Sequence, residues 1–341
     1  MTDVPHLIER ADRVPAARYH DEAFFRFEKE RLWPHAWQFA ARLDQIPNVG
    51  DWIEYQIFEK SVLVVHTKGG VKAFHNACRH RGVRLGKGHG NCAKTGFICP
   101  FHGWRWNAEG ENTFVYGSHM FAEDALDVDD LRLPEVRSDV WGGCVFINFD
   151  DDALSYRETM GPIIERFDAH NVADLKAEWW YATVLPANWK VAMEAFMEGY
   201  HVLRTHPQLH AACGAMYNSM YGPETGGLGL PVNLNMTARQ NVASHIAHME
   251  LLSEGMAGMI HAKEVEIARS LADAEIPDDP EAGLMTWYGL FNAEVTRRLR
   301  EAGEDVPDLS SVKQSHYVHP VEFLFPHFFL LPVAGAMASY R

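Results

Sequence analysis

Two short runs of sulfur and nitrogen donors stand eighteen residues apart: Cys78-Arg79-His80 and Cys99-Pro100-Phe101-His102, the second followed by Gly103-Trp104. Two thiolates and two imidazoles in this arrangement suit a binuclear [2Fe–2S] cluster, with the cysteines on one iron and the histidines on the other. That substitution raises the reduction potential far above that of an all-cysteine cluster. Cys-x-His puts two donors on one tight loop and Cys-x-x-His puts two on another, so two loop tips can clamp a cluster between them. A structural zinc site is the alternative. Zinc takes the same donor types, but Cys-x-His is shorter than the usual spacing of about two to four residues between paired zinc ligands. Cys92 and His89, in the loop around Gly86 to Gly96, fall outside the pairing and read as loop residues.

A second constellation lies near the middle of the chain, where Glu194-Ala195-Phe196-Met197-Glu198-Gly199-Tyr200-His201 is followed four residues later by His206-Pro207. Two histidines and one carboxylate on a single iron leave coordination positions open for dioxygen and substrate. His201 and His206 are the candidate imidazoles. Five residues of a regular helix turn through about 500°, which sets the two side chains about 140° apart. The helix is therefore expected to unwind between them, with Gly199 and Pro207 as the residues that permit it. Glu194, Glu198 and His201 follow an i, i+4, i+7 pattern and share a face, so Glu198 can point toward His201; the alternative is a solvated acid. His245 and His248 read as a surface pair on a helix. His316, His319 and His327 show no partner pattern.

The elements that must position these donors follow from patterning. From Gly50 to about Asn148 the chain reads as short strands and turns: Trp52 to Phe58, Ser61 to Thr67, Val71 to His75, Gly96 to Cys99 and Trp141 to Phe149. That is a small antiparallel β domain. Asp21 to Trp33 reads as an amphipathic entry helix. After Asp150 the periodicity changes. Asp152 to His170 reads as a helix interrupted at Gly161-Pro162, Glu178 to Leu185 as a strand, and Asn188 as the N-cap of a helix running through Tyr200. Helices are expected over Val242 to Ala274 and Leu284 to Ala302, and strands over Val318 to Phe325 and His327 to Val333. The fold class is α+β, with a segment 1–40 that packs on the second domain, a β domain 41–150 and a domain 151–341 of sheet plus helices.

Composition sets the outer limits. With 341 residues and 47% hydrophobic content the chain can bury more than one core. The formal net charge of −15 excludes nucleic acid as the expected partner, because phosphate binding needs clustered Lys and Arg. The local exception is Arg79, Arg81, Arg84 and Lys87, read either as a docking patch for an acidic electron-transfer protein or as charge compensation. Residues Met1 to Arg13 have no apolar core of signal-peptide length, and no run approaches the roughly 20 apolar residues that span a bilayer. Five cysteines without a disulfide pattern fit a reducing compartment. A cytoplasmic protein is expected, with no membrane partner.

The motif Cys78-Arg79-His80-Arg81-Gly82, then Cys99-Pro100-Phe101-His102-Gly103-Trp104, resembles the Rieske domain in the large (alpha) subunits of ring-hydroxylating oxygenases. Glu198-Gly199-Tyr200-His201 matches the same family's run of Asp or Glu, any residue, Tyr, then His, and Asn188-Trp189-Lys190 extends the likeness. The resemblance implies a Rieske [2Fe–2S] cluster held by Cys78, His80, Cys99 and His102, and a mononuclear Fe(II) held by His201 and His206 in a helix-grip catalytic domain. Glu198 would be the acidic bridge between an iron histidine and a Rieske histidine of a neighbouring subunit. It also implies an oxidoreductase incorporating molecular oxygen. Its electrons would come from NAD(P)H through a ferredoxin or flavin reductase, and its assembly would be a homotrimer, with a small beta subunit as an option. Hydroxylation of an aromatic or related small organic substrate is the leading expectation; oxidative demethylation or monooxygenation of an amine or ether by the same machinery is the alternative.

One departure stands out. The family's third iron ligand, usually an Asp on a helix after the catalytic sheet, has no counterpart before Arg341, and Glu322 sits in an apolar strand-like run. The sequence is accordingly read as C-terminally truncated. A non-catalytic Rieske electron carrier is the reading that follows if the carboxylate is truly missing.

Overall fold

The structure, a computed structural model, describes residues 4–168, 172–177, 180–197, 201–206, 232–255, 260–304, 322–333 and 336–340. The chain divides into two compact units, Met1–Gly161 with Val172–Ala182, and Pro162–Asn171 with Thr183–Arg341.

The first unit is built on antiparallel strands. β1 (Gln38–Arg42), β2 (Asp51–Ile57), β3 (Lys60–Thr67), β4 (Gly70–His75), β5 (His89–Asn91), β9 (Glu135–Trp141) and β10 (Cys144–Asn148) form one sheet in the order β1-β10-β9-β4-β3-β2-β5. A smaller sheet joins β6 (Phe97–Ile98), β7 (Arg105–Trp106) and β8 (Asn112–Phe114). Side chains alternate across a strand, and β3 uses both faces. Val62 and Val64 enter a core with Ala40, Ala41, Ala73, Val136, Val145 and Ile147. Leu63 and Val65 enter another with Phe74, Phe97, Trp104, Trp106, Cys78, Cys92 and Cys99. The donor loops are thus anchored on the second of these cores, and the apolar run Val62-Leu63-Val64-Val65 reflects a strand buried on both sides.

Two short helices precede the sheet, α1 (Ala17–His20) and α2 (Glu22–Arg31). The Asp21 carboxylate accepts from the Ala23 N–H at 2.7 Å and caps α2. The N-terminal segment is tied to the sheet of the first unit by rings and an ion pair. Phe25 and Trp33 meet Phe58 edge-on at the β2–β3 turn, and Lys29 pairs with Glu59 at 2.8 Å. Another short helix, α3 (Val128–Leu131), precedes β9. The expected break at Gly161-Pro162 separates α4 (Tyr156–Met160) from α5 (Pro162–Asp168).

Trp180 to Leu185 belong to no strand, contrary to the reading of that segment. Trp180 instead stacks on Phe39 at 6.2 Å, and the neighbouring Val172 to Ala177 stretch is tied down by Arg42, which donates to the Leu175 carbonyl, and by Asp44, which accepts from the Ala177 N–H at 2.7 Å.

In the second unit, α6 (Trp189–Glu194) and α7 (Val202–Thr205) are followed by α8 (Ala238–Gly255), α9 (Ala262–Ser270) and α10 (Pro280–Glu301). The helix expected over Val242 to Ala274 is therefore two helices. The second opens on a capping box in which the Glu264 carboxylate accepts from the His261 N–H at 3.0 Å. Asp279 caps α10 with Pro280 in its first turn. The three helices share a core centred on Trp287, which is fully buried, stacks on Phe291 at 5.5 Å and donates from its indole N–H to the Leu271 carbonyl at 3.1 Å. Trp287→Ala is expected to lower the stability of this unit by about 3–5 kcal/mol through the cavity it leaves, read as a shift in the urea midpoint. The terminal strands β11 (Glu322–Leu324), β12 (Phe328–Val333) and β13 (Ala336–Tyr340) form an antiparallel sheet in that order. None of the helices among the described residues is long and apolar enough to cross a membrane.

Candidate metal centres

The first donor run lies on the loop between β4 and β5, the second in the tight turn between the paired strands β6 and β7. The two loops are near copies of one another. The Cys78 N–H donates to the Val83 carbonyl at 2.8 Å and the Cys78 carbonyl accepts from the Gly82 N–H at 2.8 Å. The Cys99 N–H donates to the Trp104 carbonyl at 2.8 Å and the Cys99 carbonyl accepts from the Gly103 N–H at 2.9 Å. Each turn needs a left-handed residue four places after its cysteine, and glycine supplies it, with φ of 74° at Gly82 and 71° at Gly103.

The loops bring like donors together. The Cys78 and Cys99 side chains are buried close enough for each thiol to bear on the other's ionisation, while the Nδ1 atoms of His80 and His102 face each other at 3.1 Å. Sulfur meets sulfur and imidazole meets imidazole, as a binuclear cluster requires; a single tetrahedral ion would draw all four donors to one point. Among the described residues no three His, Cys, Asp or Glu side chains converge in that way.

Protonation fits the same donor set. Burial pushes the Cys78 thiol up, opposed by the backbone N–H groups of His80 and Arg81, which point at its sulfur, while contact with Cys99 raises it further. Those two N–H groups are placed to stabilise a metal-bound thiolate. Partial burial, the facing His102 and the neighbouring Arg81 hold His80 below its ordinary pKa, so it is neutral at neutral pH, the form that binds metal.

Aromatic rings bracket the imidazoles. Trp104, from the second loop, lies parallel to the His80 ring of the first, 4.8 Å between centroids and 11° between planes. Phe121 stands edge-on to both, and the exposed Phe101 packs on His102 at 4.0 Å. Sequence reading took Trp104 only as part of a motif and did not foresee Phe121, which lies far along the chain with no spacing to mark it.

Cys92 is a buried thiol in the same core, as the loop-residue reading requires. Burial pushes it up to about 11. Its neutral form is favoured by the fold, so this contribution is complete below the ordinary thiol value of 9.0 and is lost as pH rises toward about 11. Alkylation of Cys92 by iodoacetamide is therefore expected to stay slow in the folded chain at pH 8 and to accelerate only above about pH 10, followed by peptide mass spectrometry.

The basic stretch divides. Arg84 pairs with Glu54 at 3.3 Å, and Arg79 donates to the Asp130 carbonyl at 2.8 Å, so both have structural work. Arg81 and Lys87 are exposed.

In the second unit the Asn188 side chain caps α6, accepting from the Lys190 N–H at 3.0 Å, but that helix ends at Glu194 rather than at Tyr200. Glu198 lies outside the described residues. His201 and His206 flank the single turn of α7, and their rings stand 5.4 Å apart, tilted by 70°. The unwinding expected between them takes another form: the residues between stay helical, and the two histidines lie just beyond either end. His245 and His248 are not a surface pair. His245 is 3% exposed and its Nδ1 bonds the Asn241 carbonyl at 2.9 Å, while burial pushes His248 down to about 4.

Residues 36–115 match the Rieske [2Fe–2S] domain, and residues 168–338, half of the chain, match the ring-hydroxylating alpha subunit (catalytic domain). The chain belongs to the ring-hydroxylating alpha-subunit family. Membership brings with it a Rieske cluster and a mononuclear iron. Among relatives of this alpha subunit, the carnitine monooxygenase oxygenase subunit of Escherichia coli (strain K12) is 31% identical over 58% of this chain and 53% of its own. Biphenyl 2,3-dioxygenase subunit alpha of Rhodococcus jostii (strain RHA1) is 32% identical over 58% of this chain and 44% of its own. A solved quaternary ammonium Rieske monooxygenase, described for carnitine oxidation by gut microbiota and inter-subunit electron transfer, superposes with a TM-score of 0.55 at 27% identity, covering 59% of this chain and 55% of that one. The chain thus spans about half the length of the curated relatives it matches.

Proposed function

We propose that the chain is the oxygenase component of a Rieske non-haem iron monooxygenase acting on a small quaternary ammonium or related amine. Cys78 and Cys99 would hold one iron of the cluster and His80 and His102 the other. His201 and His206 would hold the mononuclear iron, with Glu198 hydrogen-bonded to His201 so as to fix its tautomer. The cluster supplies single electrons and the mononuclear iron the site of dioxygen activation when both are bound. The like-with-like pairing of donors in two matched loops, within a chain that also sets His201 beside His206, is the observation that carries this reading.

The chain's own residues do the rest. Partial burial keeps His80 neutral and able to bind, the N–H groups of His80 and Arg81 stabilise the Cys78 thiolate, and Trp104 covers one face of His80. Electrons would come from NAD(P)H through a ferredoxin or flavin reductase, with exposed Arg81 and Lys87 able to meet an acidic carrier. The assembly would be a homotrimer, an arrangement compatible with the inter-subunit electron transfer stated for the quaternary ammonium relative.

The amine reading is favoured over the leading sequence expectation because carnitine monooxygenase subunits stand among the relatives. Dihydroxylation of an arene is the second reading, supported by the biphenyl dioxygenase subunit at similar identity. Oxygen uptake by the reconstituted chain, with NADH, a reductase and a panel of trimethylated amines and aromatic acids, separates them. An aldehyde or a shortened amine supports the first and a cis-diol the second. Full cluster loading without oxygen uptake on any substrate favours an electron carrier.

A further inference from the structure

The two donor loops are closed in different ways. The second is a tight turn between paired strands, whereas the first runs from Asn76 to Gly88 between β4, which pairs with β3 and β9, and β5, which pairs with β2. No ladder joins the ends of this loop. Side chains do so instead. Asn76, 3% exposed, accepts through Oδ1 from the N–H groups of Leu85 at 2.9 Å and Gly86 at 3.1 Å, and donates from Nδ2 to the Gly86 carbonyl at 2.7 Å and to Ser61 Oγ at 2.9 Å.

Beneath Asn76 lies the Glu54 carboxylate, whose side chain is 4% exposed. Its Oε1 accepts from Ser61 Oγ at 2.6 Å, from Arg84 at 3.3 Å and from Asn76 Nδ2 at 3.4 Å, and its Oε2 accepts from the Gly88 N–H at 3.0 Å. The Glu54 N–H in turn donates to the Gly88 carbonyl at 2.6 Å. All four groups around the carboxylate donate to it, and three of them are N–H donors that cannot accept, so the site is shaped for an acceptor with no hydrogen of its own. Burial pushes the Glu54 pKa up, but the bonds from Ser61 and Gly88, the neighbouring Gln56 side chain and the charge of Arg84 outweigh it and hold it below the usual carboxylate value. The charge is present at neutral pH and is compensated on both oxygens, which is the condition under which a buried carboxylate is tolerated.

We propose that Glu54 is a positioning residue for the Rieske cluster: its buried carboxylate, acting with Ser61 and Asn76, closes the first ligand loop and so fixes where Cys78 and His80 stand. Glutamine at this position has nearly the same shape, yet its amide nitrogen would face N–H donors at either oxygen site, and only the Ser61 hydroxyl can turn to accept from it. Glu54→Gln must therefore release either Gly88 or the Asn76 and Arg84 pair. The inference depends on the cluster that the family carries and is independent of the substrate.

The test compares wild type with E54Q and S61A in the full chain, both cluster-free and loaded. In E54Q the amides of Leu85, Gly86 and Gly88 are expected to exchange hydrogen about tenfold or more faster, while those of Leu63 and Val64 in β3 keep their wild-type rates. Loaded E54Q is expected to lose iron to a chelator about tenfold faster, and its reduction potential to move upward as a buried anion beneath the first ligand loop is removed. S61A keeps the carboxylate and deletes one donor; it is expected to show a smaller acceleration confined to the same loop. Wild-type exchange, cluster release and potential in E54Q would overturn the proposal. So would acceleration spread evenly over β2, β3 and β4, because Glu54 would then hold the sheet rather than the loop. If E54Q does not fold, S61A decides between loop-confined acceleration and none. Exchange in the cluster-free chain reads the clamp even if no cluster assembles, so failure of the proposal is distinct from failure of the Rieske assignment.

Discussion

Exchange of both His80 and His102 for cysteine is expected to retain a [2Fe–2S] cluster and to lower its reduction potential by roughly several hundred millivolts, from the Rieske range of about −150 to +300 mV toward about −400 mV. Two neutral imidazoles would become two thiolates, and each added negative charge opposes the arriving electron. The geometry permits the exchange because both side chains already face each other across the gap between the loops, Nδ1 to Nδ1 at 3.1 Å. Spectroelectrochemistry on wild type and the double variant measures the difference directly. An unchanged potential would mean that the two histidines do not bind the cluster.

His201→Ala and His206→Ala are expected to act on the other metal alone. Each removes one of two imidazoles whose rings stand 5.4 Å apart at the ends of one helical turn. Bound ferrous iron should fall below one equivalent and turnover should drop by about a thousandfold, the loss of the several kcal/mol that metal-assisted activation contributes. Cluster absorbance and reduction potential should remain at wild-type values, since Cys78, His80, Cys99 and His102 all lie in the first unit. Iron content measured beside the visible spectrum separates the two centres; parallel loss of both signals would contradict the assignment.

What could be read from the sequence was what is local. Cys-x-His, Cys-x-x-His and the glycine after each histidine carry the conformation of the two inner turns, 78–83 and 99–104, because each of these turns is closed by its own backbone hydrogen bonds. Strands β2, β3 and β4 were legible from β-branched runs broken by glycine turns. By contrast, β1 and β9 were missed. Gln38–Arg42 and Glu135–Trp141 carry polar residues in positions that the sheet buries or pairs, including fully buried Gln38, whose amide donates to the Trp33 carbonyl at 2.6 Å. A side chain satisfied by a carbonyl just ahead of its strand is not something a strand pattern encodes.

The same limit applies around the metal centres. Trp104 was visible as a motif residue, but its stacking on His80 depends on how two loops from different sheets meet. Glu54 gave one weak signal: it is a charged residue on the same face of β2 as Trp52, alternating with Ile53 and Tyr55. Only the fold sets it against Ser61, Arg84 and Gly88. The error over His245 and His248 has a similar cause. A histidine pair at i, i+3 looks solvent-facing in isolation, yet α8 is covered by α9 and α10 around Val242, Ile246 and Met249.

The Rieske centre requires two histidine nitrogens on one iron of a binuclear cluster in the first unit. Pulsed electron paramagnetic resonance of the reconstituted, dithionite-reduced chain tests this most directly. Two nitrogen couplings to the cluster spin are expected, one of which disappears in each of the single variants His80→Cys and His102→Cys. A reduced cluster with no nitrogen coupling, or a chain that takes up stoichiometric zinc and no iron or sulfide, would contradict it.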